Sequence, residues 1–450
     1  MKKTFALALL LLTVGAAAQN KAGGISADIL KDLNASYEGN AQDKAIRNAL
    51  YGTSMAVLAA SADKAAMPDT HFSNEVKTVG RTDQKSSGRC WLFTGLNVLR
   101  AKMIQEHDLK EFTFSQNYLF FYDQLEKANL FLQGVIDTSN LPFEDRKVDW
   151  LFSYPISDGG QFTGVSNLIM KYGVVPSDAM PETFSSNNTS AMRSQLSLML
   201  REYGLELRNT PAAKCQTLKV KMLKDVYRVL ALCLGVPPTE FVWKEDGKTY
   251  TPKEFYQEYL GEDLENNYVM VMNNPTLPYG KVYEIDYDRH VYDGQNWVYV
   301  NLPMDRIKEM AIASIKDNTA LYFSCDVAKF LDRNRGVADI ENFDYQSLLG
   351  VQYGMDKKDR ILTHASGSTH AMTLIAVDIK DDKPVKWMVE NSWGASSGYK
   401  GNIIMTDDWF DNYMFRLVVE KKYVPQDVLS MMSQKPVLLP AWDPMFAPEE

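Results

Sequence analysis

The spacing of apolar residues changes along this chain, and that change constrains the fold more than any other feature. After Cys90 the apolar residues recur at helical spacing, as in Leu92, Leu96 and Leu99. The last third instead carries short apolar runs bounded by polar residues, which are typical of buried strands. A helix-rich part followed by a strand-rich part predicts an α+β fold with the functional site between the two.

The predicted elements follow from these patterns and define the expected organisation of the chain. Helices are predicted from residue 90 onward, over 115–127, and around 196–203 and 218–234. Strands are predicted over 298–302, 320–327, 371–377, 386–390, 402–405 and 414–419. We therefore expect a helical arm over 19–68, a compact domain over 69–450 with a helical insertion at about 190–270, and a tail at about 436–450.

The first residues have the pattern of a secretory signal peptide. Lys2 and Lys3 precede an apolar run over 5–14, and small residues lead to Ala18. The run is shorter than the roughly 20 residues that a transmembrane helix needs. We expect cleavage near Ala18 and an exported protein, periplasmic or secreted, with no stable membrane anchor.

The charge balance bears on the class of partner. The chain has 48 Lys and Arg against 57 Asp and Glu, a formal net charge of −9, and no block of basic residues. Binding to nucleic acid depends on neutralising phosphates with basic side chains. We therefore expect no nucleic-acid partner.

A candidate nucleophile stands where a polar loop runs into the first predicted helix. Cys90 falls in the first turn, where the unpaired backbone N–H groups and the helix dipole favour a thiolate. Gln84 lies upstream on that loop, and its amide is expected to bind an oxyanion together with the Cys90 backbone N–H. A lone cysteine before an apolar run is otherwise typical of a buried core thiol. The assignment therefore depends on a base elsewhere in the chain.

The candidate base and its partner belong to a predicted β-hairpin. His370 begins one strand, Asn391 ends the next, and a turn near 380/381 places both at the same end of the hairpin. There the Asn391 amide oxygen is expected to accept from one imidazole nitrogen while the other faces the thiol. His364 is the alternative base, but it has no corresponding Asn.

With these residues in place, the sequence resembles the papain-like cysteine peptidases, and among them the bleomycin hydrolase and aminopeptidase C family. The matching segments are 84–93, 158–161, 171–176, 315–317, 370–373 and the run from 387 to 439–445. The resemblance spans residues 70–445. Cys90 and His370 are further apart than the roughly 130–150 residues of papain-type enzymes, which fits an insertion.

The resemblance implies a two-lobed fold, a helical lobe plus a β-barrel-like lobe, with the C-terminal tail in the cleft. It also implies a homo-hexameric ring in which the terminal carboxylate, here that of Glu450, receives the substrate's α-ammonium. The backbone of Gly159 and Gly160 is expected to pair with an extended substrate. The ending 446–450 differs from the small apolar ending usual in the family, and export differs from its mostly cytoplasmic location.

The predicted function is that of a cysteine-type aminopeptidase acting on peptides, with neither a metal ion nor another cofactor. An endopeptidase and a transglutaminase-like acyltransferase are alternatives on the same core. A ring-forming or nucleic-acid-binding scaffold is the alternative from another class, and the charge argues against it.

Overall fold

The computed structural model describes residues 23–37 and 39–446. The predicted signal peptide and Glu450 lie outside these residues. Within them, no helix combines the length and apolar character needed to cross a bilayer.

The helices and strands of the described residues confirm the predicted mixture of both classes. The helices are α1 Ala27–Ser36, α2 Ala41–Gly52, α3 Met55–Ala59, α4 Cys90–Glu106, α5 Gln116–Asp137, α6 Arg146–Ser153, α7 Phe162–Tyr172, α8 Phe184–Asn187, α9 Ser190–Arg208, α10 Ala212–Leu234, α11 Pro252–Tyr259, α12 Met304–Lys316, α13 Tyr345–Leu349, α14 Lys357–Leu362, α15 Asp407–Tyr413 and α16 Gln426–Met431. The strands are β1 Asn74–Glu75, β2 Phe241–Val242, β3 Thr249–Tyr250, β4 Tyr268–Met272, β5 Lys281–Ile285, β6 Val298–Asn301, β7 Leu321–Cys325, β8 Leu331–Asp332, β9 Val337–Ala338, β10 His370–Lys380, β11 Lys383–Glu390, β12 Asn402–Thr406, β13 Met414–Glu420 and β14 Val437–Leu439.

One large sheet organises the second half of the described chain. Its strand order is β14-β5-β6-β4-β13-β7-β10-β11-β12-β9-β8, and β1 pairs with β10. Most neighbours are antiparallel, but β14 pairs with β5 in parallel. The six strands predicted from the sequence are all present in this sheet. Strands β4 and β5 were not predicted, and β4 overlaps the end of the segment expected to be a helical insertion.

Helix α4 begins at Cys90, as predicted, and is buried around nearly its whole circumference. Leu92, Leu96 and Leu99 are at most 1% exposed. Full burial of one such side chain contributes roughly 1.5–3 kcal/mol. Polar residues that the helical spacing placed outward, such as Asn97 and Arg100, are also buried. The helix therefore runs through the interior, with the helical layer on one side and the sheet on the other.

Two apolar cores flank this central helix. One core is built mainly on the helical layer, with Trp91, Leu119 and Val226 among its members. The other is built on the sheet and includes Phe323 and Trp387. Helix α5 begins after Ser115, whose hydroxyl caps it by accepting from Tyr118 N at 3.1 Å. The helices α9, α10 and α11 occupy most of the predicted insertion, together with the short β2–β3 hairpin.

The hairpin formed by β10 and β11 has a different register from the predicted one. Lys380 pairs with Lys383, so the turn is Asp381–Asp382 rather than 380/381. Both turn residues have positive φ, 49° and 60°, which is the conformation of a tight two-residue hairpin turn. Two register irregularities along the hairpin shift the pairing again. His370 and Asn391 nevertheless lie at the same end, as predicted.

Candidate active site

The hairpin brings the predicted base and its partner into direct contact. His370 Nε2 lies 2.8 Å from Asn391 Oδ1. Because Oδ1 also accepts from the Ser392 backbone N–H at 2.8 Å, it is placed as a carbonyl oxygen, and Nε2 carries the proton. Nδ1 is then the basic nitrogen of the neutral ring. The expected contact between Asn391 and one imidazole nitrogen is present, and it assigns the ring proton to Nε2.

The surroundings of His370 favour its neutral form. The side chain is buried at 6% exposure, and burial lowers its pKa to about 4. The bond to Asn391 raises this pKa and the charge of Arg333 lowers it, both less than burial does. Trp393 stacks on the imidazole with ring centroids 5.0 Å apart. The ring is thus held in one plane and is unprotonated at neutral pH.

Cys90 occupies the first position of α4, and this helix packs against the strand that His370 begins. Helix α4 also packs against β7, which carries Cys325. His370 and Cys325 are cross-strand partners. Burial raises the pKa of Cys325 well above its usual value, and the charges of Asp326 and Cys90 raise it further. Cys325 is a poor nucleophile for this reason.

The start of α4 supplies electrostatic support for a thiolate. Its N-cap, Arg89, makes no side-chain capping bond to the first turn. The positive end of the helix dipole therefore acts on Cys90. Arg89 is fully buried, and its guanidinium bonds both carboxylate oxygens of Glu182, at 3.1 and 2.8 Å. This bidentate ion pair fixes the backbone immediately before Cys90.

Gln84 is held beside both halves of the site. Its backbone N–H donates to Ser392 O at 2.8 Å, and its Oε1 accepts from the Ser392 hydroxyl at 2.6 Å. One hydrogen of Nε2 donates to Ser87 O, also at 2.6 Å. The second hydrogen of that amide remains for another acceptor. The loop therefore folds back next to the helix start, as predicted.

The segment with Gly159 and Gly160 lies against the start of the same helix. Trp91 Nε1 donates to Asp158 O at 2.9 Å, and Gly88 N donates to Asp158 Oδ2 at 2.7 Å. A Cβ on Gly160 would lie 2.3 Å from His290, whereas one on Gly159 would meet nothing within 4 Å. Gly160 is thus required by packing, and Gly159 faces open space.

A cleft adjoins these residues on the side away from the hairpin turn. Its lining includes Gly159, Gly160, Ser368, Asp288 and the tail residues Met445 and Phe446. Among the described residues, no cluster of His, Cys, Asp and Glu side chains has the arrangement of a metal site. Of the remaining histidines, His364 is exposed on the surface with a φ of 57°.

Sequence reasoning did not identify several residues of this site. Asp158 and Ser392 connect its parts through the bonds described above, and Asp288 contributes a carboxylate to the cleft. His290 is also buried, and its Nδ1 contacts Asp123 Oδ1 at 2.6 Å. No local pattern marks Asp288 or His290, because their surroundings come from distant parts of the chain. Asp158 lies in one of the matching segments, and Ser392 and Trp393 directly follow Asn391, so these three residues did have a signal.

Comparison with known proteins identifies the family to which this chain belongs. Over 397 residues the chain is 40% identical to "Aminopeptidase C" of Lactobacillus delbrueckii subsp. lactis, covering 84% of this chain and 88% of that protein. Over 400 residues it is 39% identical to "Bleomycin hydrolase" of Homo sapiens, covering 84% and 88%. The crystal structure of pepw from Lactobacillus rhamnosis HN001 superposes with a TM-score of 0.89 at 36% identity, covering 95% of this chain and 99% of that one. The Peptidase C1-like family matches residues 24–446, and the chain belongs to that family.

Proposed function

We propose that this chain is a cysteine-type aminopeptidase in which Cys90 is the nucleophile, His370 the base and acid, and Asn391 the residue that positions the imidazole. The observation that carries the proposal is the bond between His370 Nε2 and Asn391 Oδ1, made beside the start of α4. The names of the similar proteins, aminopeptidase C and bleomycin hydrolase, support the same reaction.

The proposed reaction forms and then breaks a thioester at Cys90. His370 Nδ1 takes the thiol proton while Sγ attacks the carbonyl carbon of the first peptide bond. The carbonyl oxygen becomes an oxyanion, which the Cys90 backbone N–H and the second Nε2 hydrogen of Gln84 stabilise. His370 then protonates the departing amine as the C–N bond breaks. Water, deprotonated by His370, hydrolyses the thioester and releases the N-terminal residue.

Gly159 and Gly160 are proposed to bind the substrate backbone as an added strand. Gly159 O already accepts from Lys127 Nζ at 2.6 Å. Its missing side chain leaves the cleft open at that position. The N–H and C=O of Gly160 make no bond with another described residue, so both are available to an extended peptide.

The C-terminal tail is proposed to limit the enzyme to N-terminal residues. Ala441, Met445 and Phe446 line the cleft, and Met445 O accepts from the Arg416 guanidinium. The tail that continues beyond them is proposed to present the Glu450 carboxylate to the substrate's α-ammonium. Deleting residues 446–450 should weaken aminopeptidase activity and allow cleavage of N-acetylated peptides. An unchanged product pattern would remove the tail from the mechanism.

Replacing Cys90 with Ser tests the central proposal. Release of fluorophores from aminoacyl substrates should fall to background, because a serine in this setting lacks the acidity of the thiol. Unchanged release would refute the role of Cys90. Adding a primary amine distinguishes the transglutaminase-like alternative, since a hydrolase should yield the free N-terminal residue rather than its amide.

Assembly and export are proposed on separate grounds. Helix α1 buries none of its residues, and Leu30 and Leu33 on that helix are each 52% exposed. An exposed apolar face of this kind supports contact between copies of the chain, proposed as a homo-hexamer. Light scattering of the full chain and of a form lacking residues 23–52 tests the assembly.

The N-terminal sequence of protein recovered from the host's exported fraction tests cleavage near Ala18.

A further inference from the structure

The cleft beside the active site contains a carboxylate that the reaction does not use. Asp288 follows strand β5 and lines the cleft together with Gly159, Gly160 and Ser368. Its Oδ2 atom is buried and has no hydrogen-bond partner within the described residues. A buried carboxylate oxygen without a partner is costly, so a site that keeps one is usually completed by a ligand or ion.

Lys127 does not provide that partner. Its three ammonium hydrogens are directed to Asp123 Oδ2 and Ser157 O, both at 3.0 Å, and to Gly159 O at 2.6 Å. Burial raises the pKa of Asp288 to about 6, and the charges of Arg416 and Lys127 only moderate that effect. The carboxylate is therefore ionised at neutral pH, and it makes no ion pair within 4 Å among the described residues.

The backbone next to Asp288 is held in an uncommon conformation. Tyr287 has a φ of 62°, in the left-handed region that residues other than glycine seldom adopt. Its ring packs against Trp150 at 6.0 Å and beneath Lys147 Nζ at 4.4 Å. Asp286, on the other side of Tyr287, is ion-paired with the same Lys147 at 2.8 Å. Of the two carboxylates on this turn, only Asp288 is left for a ligand.

The other walls of the cleft indicate the shape of the ligand. Leu130, Phe131, Leu151 and Ile156 give the cleft an apolar side along α5 and α6. An apolar wall that ends at a carboxylate suits a group with an aliphatic stem and a cationic end. Within a peptide substrate, the first residue carries such a group when it is Lys or Arg.

We propose that Asp288 is a specificity residue that pairs with the cationic side chain of a Lys or Arg at the substrate's first position. This inference rests on the proposed aminopeptidase function and adds to it the chemical class of the preferred substrate. The pairing replaces water around the cation with a buried carboxylate and completes the hydrogen bonding of Asp288 Oδ2.

The kinetic test compares substrates that differ by one nitrogen. A lysyl fluorophore substrate is compared with its norleucyl analogue, which lacks the side-chain ammonium. In the variant Asp288→Asn, the preference in kcat/KM for the lysyl substrate should fall about tenfold to a hundredfold, mainly through KM. The matched control Asp286→Asn removes the same charge from a carboxylate already paired with Lys147. It should change this preference much less.

A binding test separates this proposal from the reaction itself. Lysinamide and norleucinamide are titrated by calorimetry into Cys90→Ala protein, with and without the added substitution Asp288→Ser. Loss of the lysinamide preference on removing Asp288 supports pairing with the side-chain nitrogen, and equal weakening of both amides would overturn it. Unchanged binding of both amides and unchanged substrate preferences would overturn the role of Asp288. If Cys90→Ser retained full activity, the proposed function would fail while the binding result would still stand.

Discussion

The hairpin end of the candidate site and the adjoining cleft differ in how their polar groups are bonded. At the hairpin end, His370 Nε2 and Gln84 Oε1 are bonded within the protein, to Asn391 and Ser392. In the cleft, Asp288 Oδ2 is buried without a partner among the described residues. Catalytic groups accelerate a reaction more when their positions are fixed before the substrate binds. A group that selects the substrate binds it more strongly when the substrate supplies its missing hydrogen bond.

The largest effect is expected from the base at the hairpin end. Replacing His370 with Ala should lower kcat/KM by roughly 10²–10⁴-fold, because no other group accepts the thiol proton or returns it to the amine. Initial rates on an aminoacyl fluorophore measure this loss. His364→Ala is the matched control, since that histidine is exposed. A greater loss in the control would assign the base to His364 instead.

A smaller loss is expected from the amide that faces the oxyanion. Gln84→Ala should lower kcat by about 10²–10³-fold with little change in KM, because its hydrogen bond strengthens only as the oxyanion forms. The control is Gln105→Ala, whose amide donates to Lys77 O on the surface at 3.2 Å. Affinity for a peptide aldehyde should fall in parallel with kcat. If kcat stays the same, Gln84 serves only to join the loop to Ser392.

Asn391 should affect the pH dependence as well as the rate. Neutral His370 is the proposed base, so activity should be present above its pKa of about 4 and be lost as the pH falls through that value. Asn391→Ala removes a contact that raises this pKa, and the acid loss should move to lower pH. The maximal kcat/KM should fall about tenfold to a hundredfold, because the ring is no longer oriented. Profiles of kcat/KM against pH for both proteins check the prediction, and an upward shift would contradict it.

The smallest effect is on stability and concerns the cleft. Gly160→Ala should destabilise the protein by roughly 1–3 kcal/mol, because the added Cβ would lie 2.3 Å from His290 and 2.8 Å from Trp91. Gly159→Ala is its matched control and should stay within about 0.5 kcal/mol, since that position is open. Urea unfolding of both variants measures the difference. Equal losses would mean that the two positions are not packed as described.

The hairpin shows how far sequence alone predicts this site. Pairing His370 with Asn391 required only that both lie at one end, and the structure confirms this. A turn at 380/381 would put His370 directly opposite Asn391, whereas the observed register pairs Thr373 with Glu390. Pro384 pairs with Ile379 next to a register irregularity, where a strand tolerates a residue without an N–H. An error of this size did not separate the two residues.

Long-range pairing explains what was missed. Strand β4 follows a strongly helical stretch and joins the sheet by pairing with β13 and β6. Its assignment depends on these distant partners and not on its own period. Asp288 was missed for the same reason, because the cleft that it lines is built from segments that are distant in the sequence. The predicted domain boundaries, export, hexamer and role of Glu450 remain predictions.

The parallel pairing of β14 with β5 has a consequence for how this enzyme can be varied. Strand β5 leads directly into the turn that carries Asp288, and Asp286 N donates to Leu439 O at 2.9 Å. Replacing only the C-terminal end with that of a relative would therefore pair a foreign β14 with the β5 of this chain. Segments 281–290 and 437–446 should be exchanged as a pair. We therefore expect substrate selectivity and the sequence of the C-terminal end to change together.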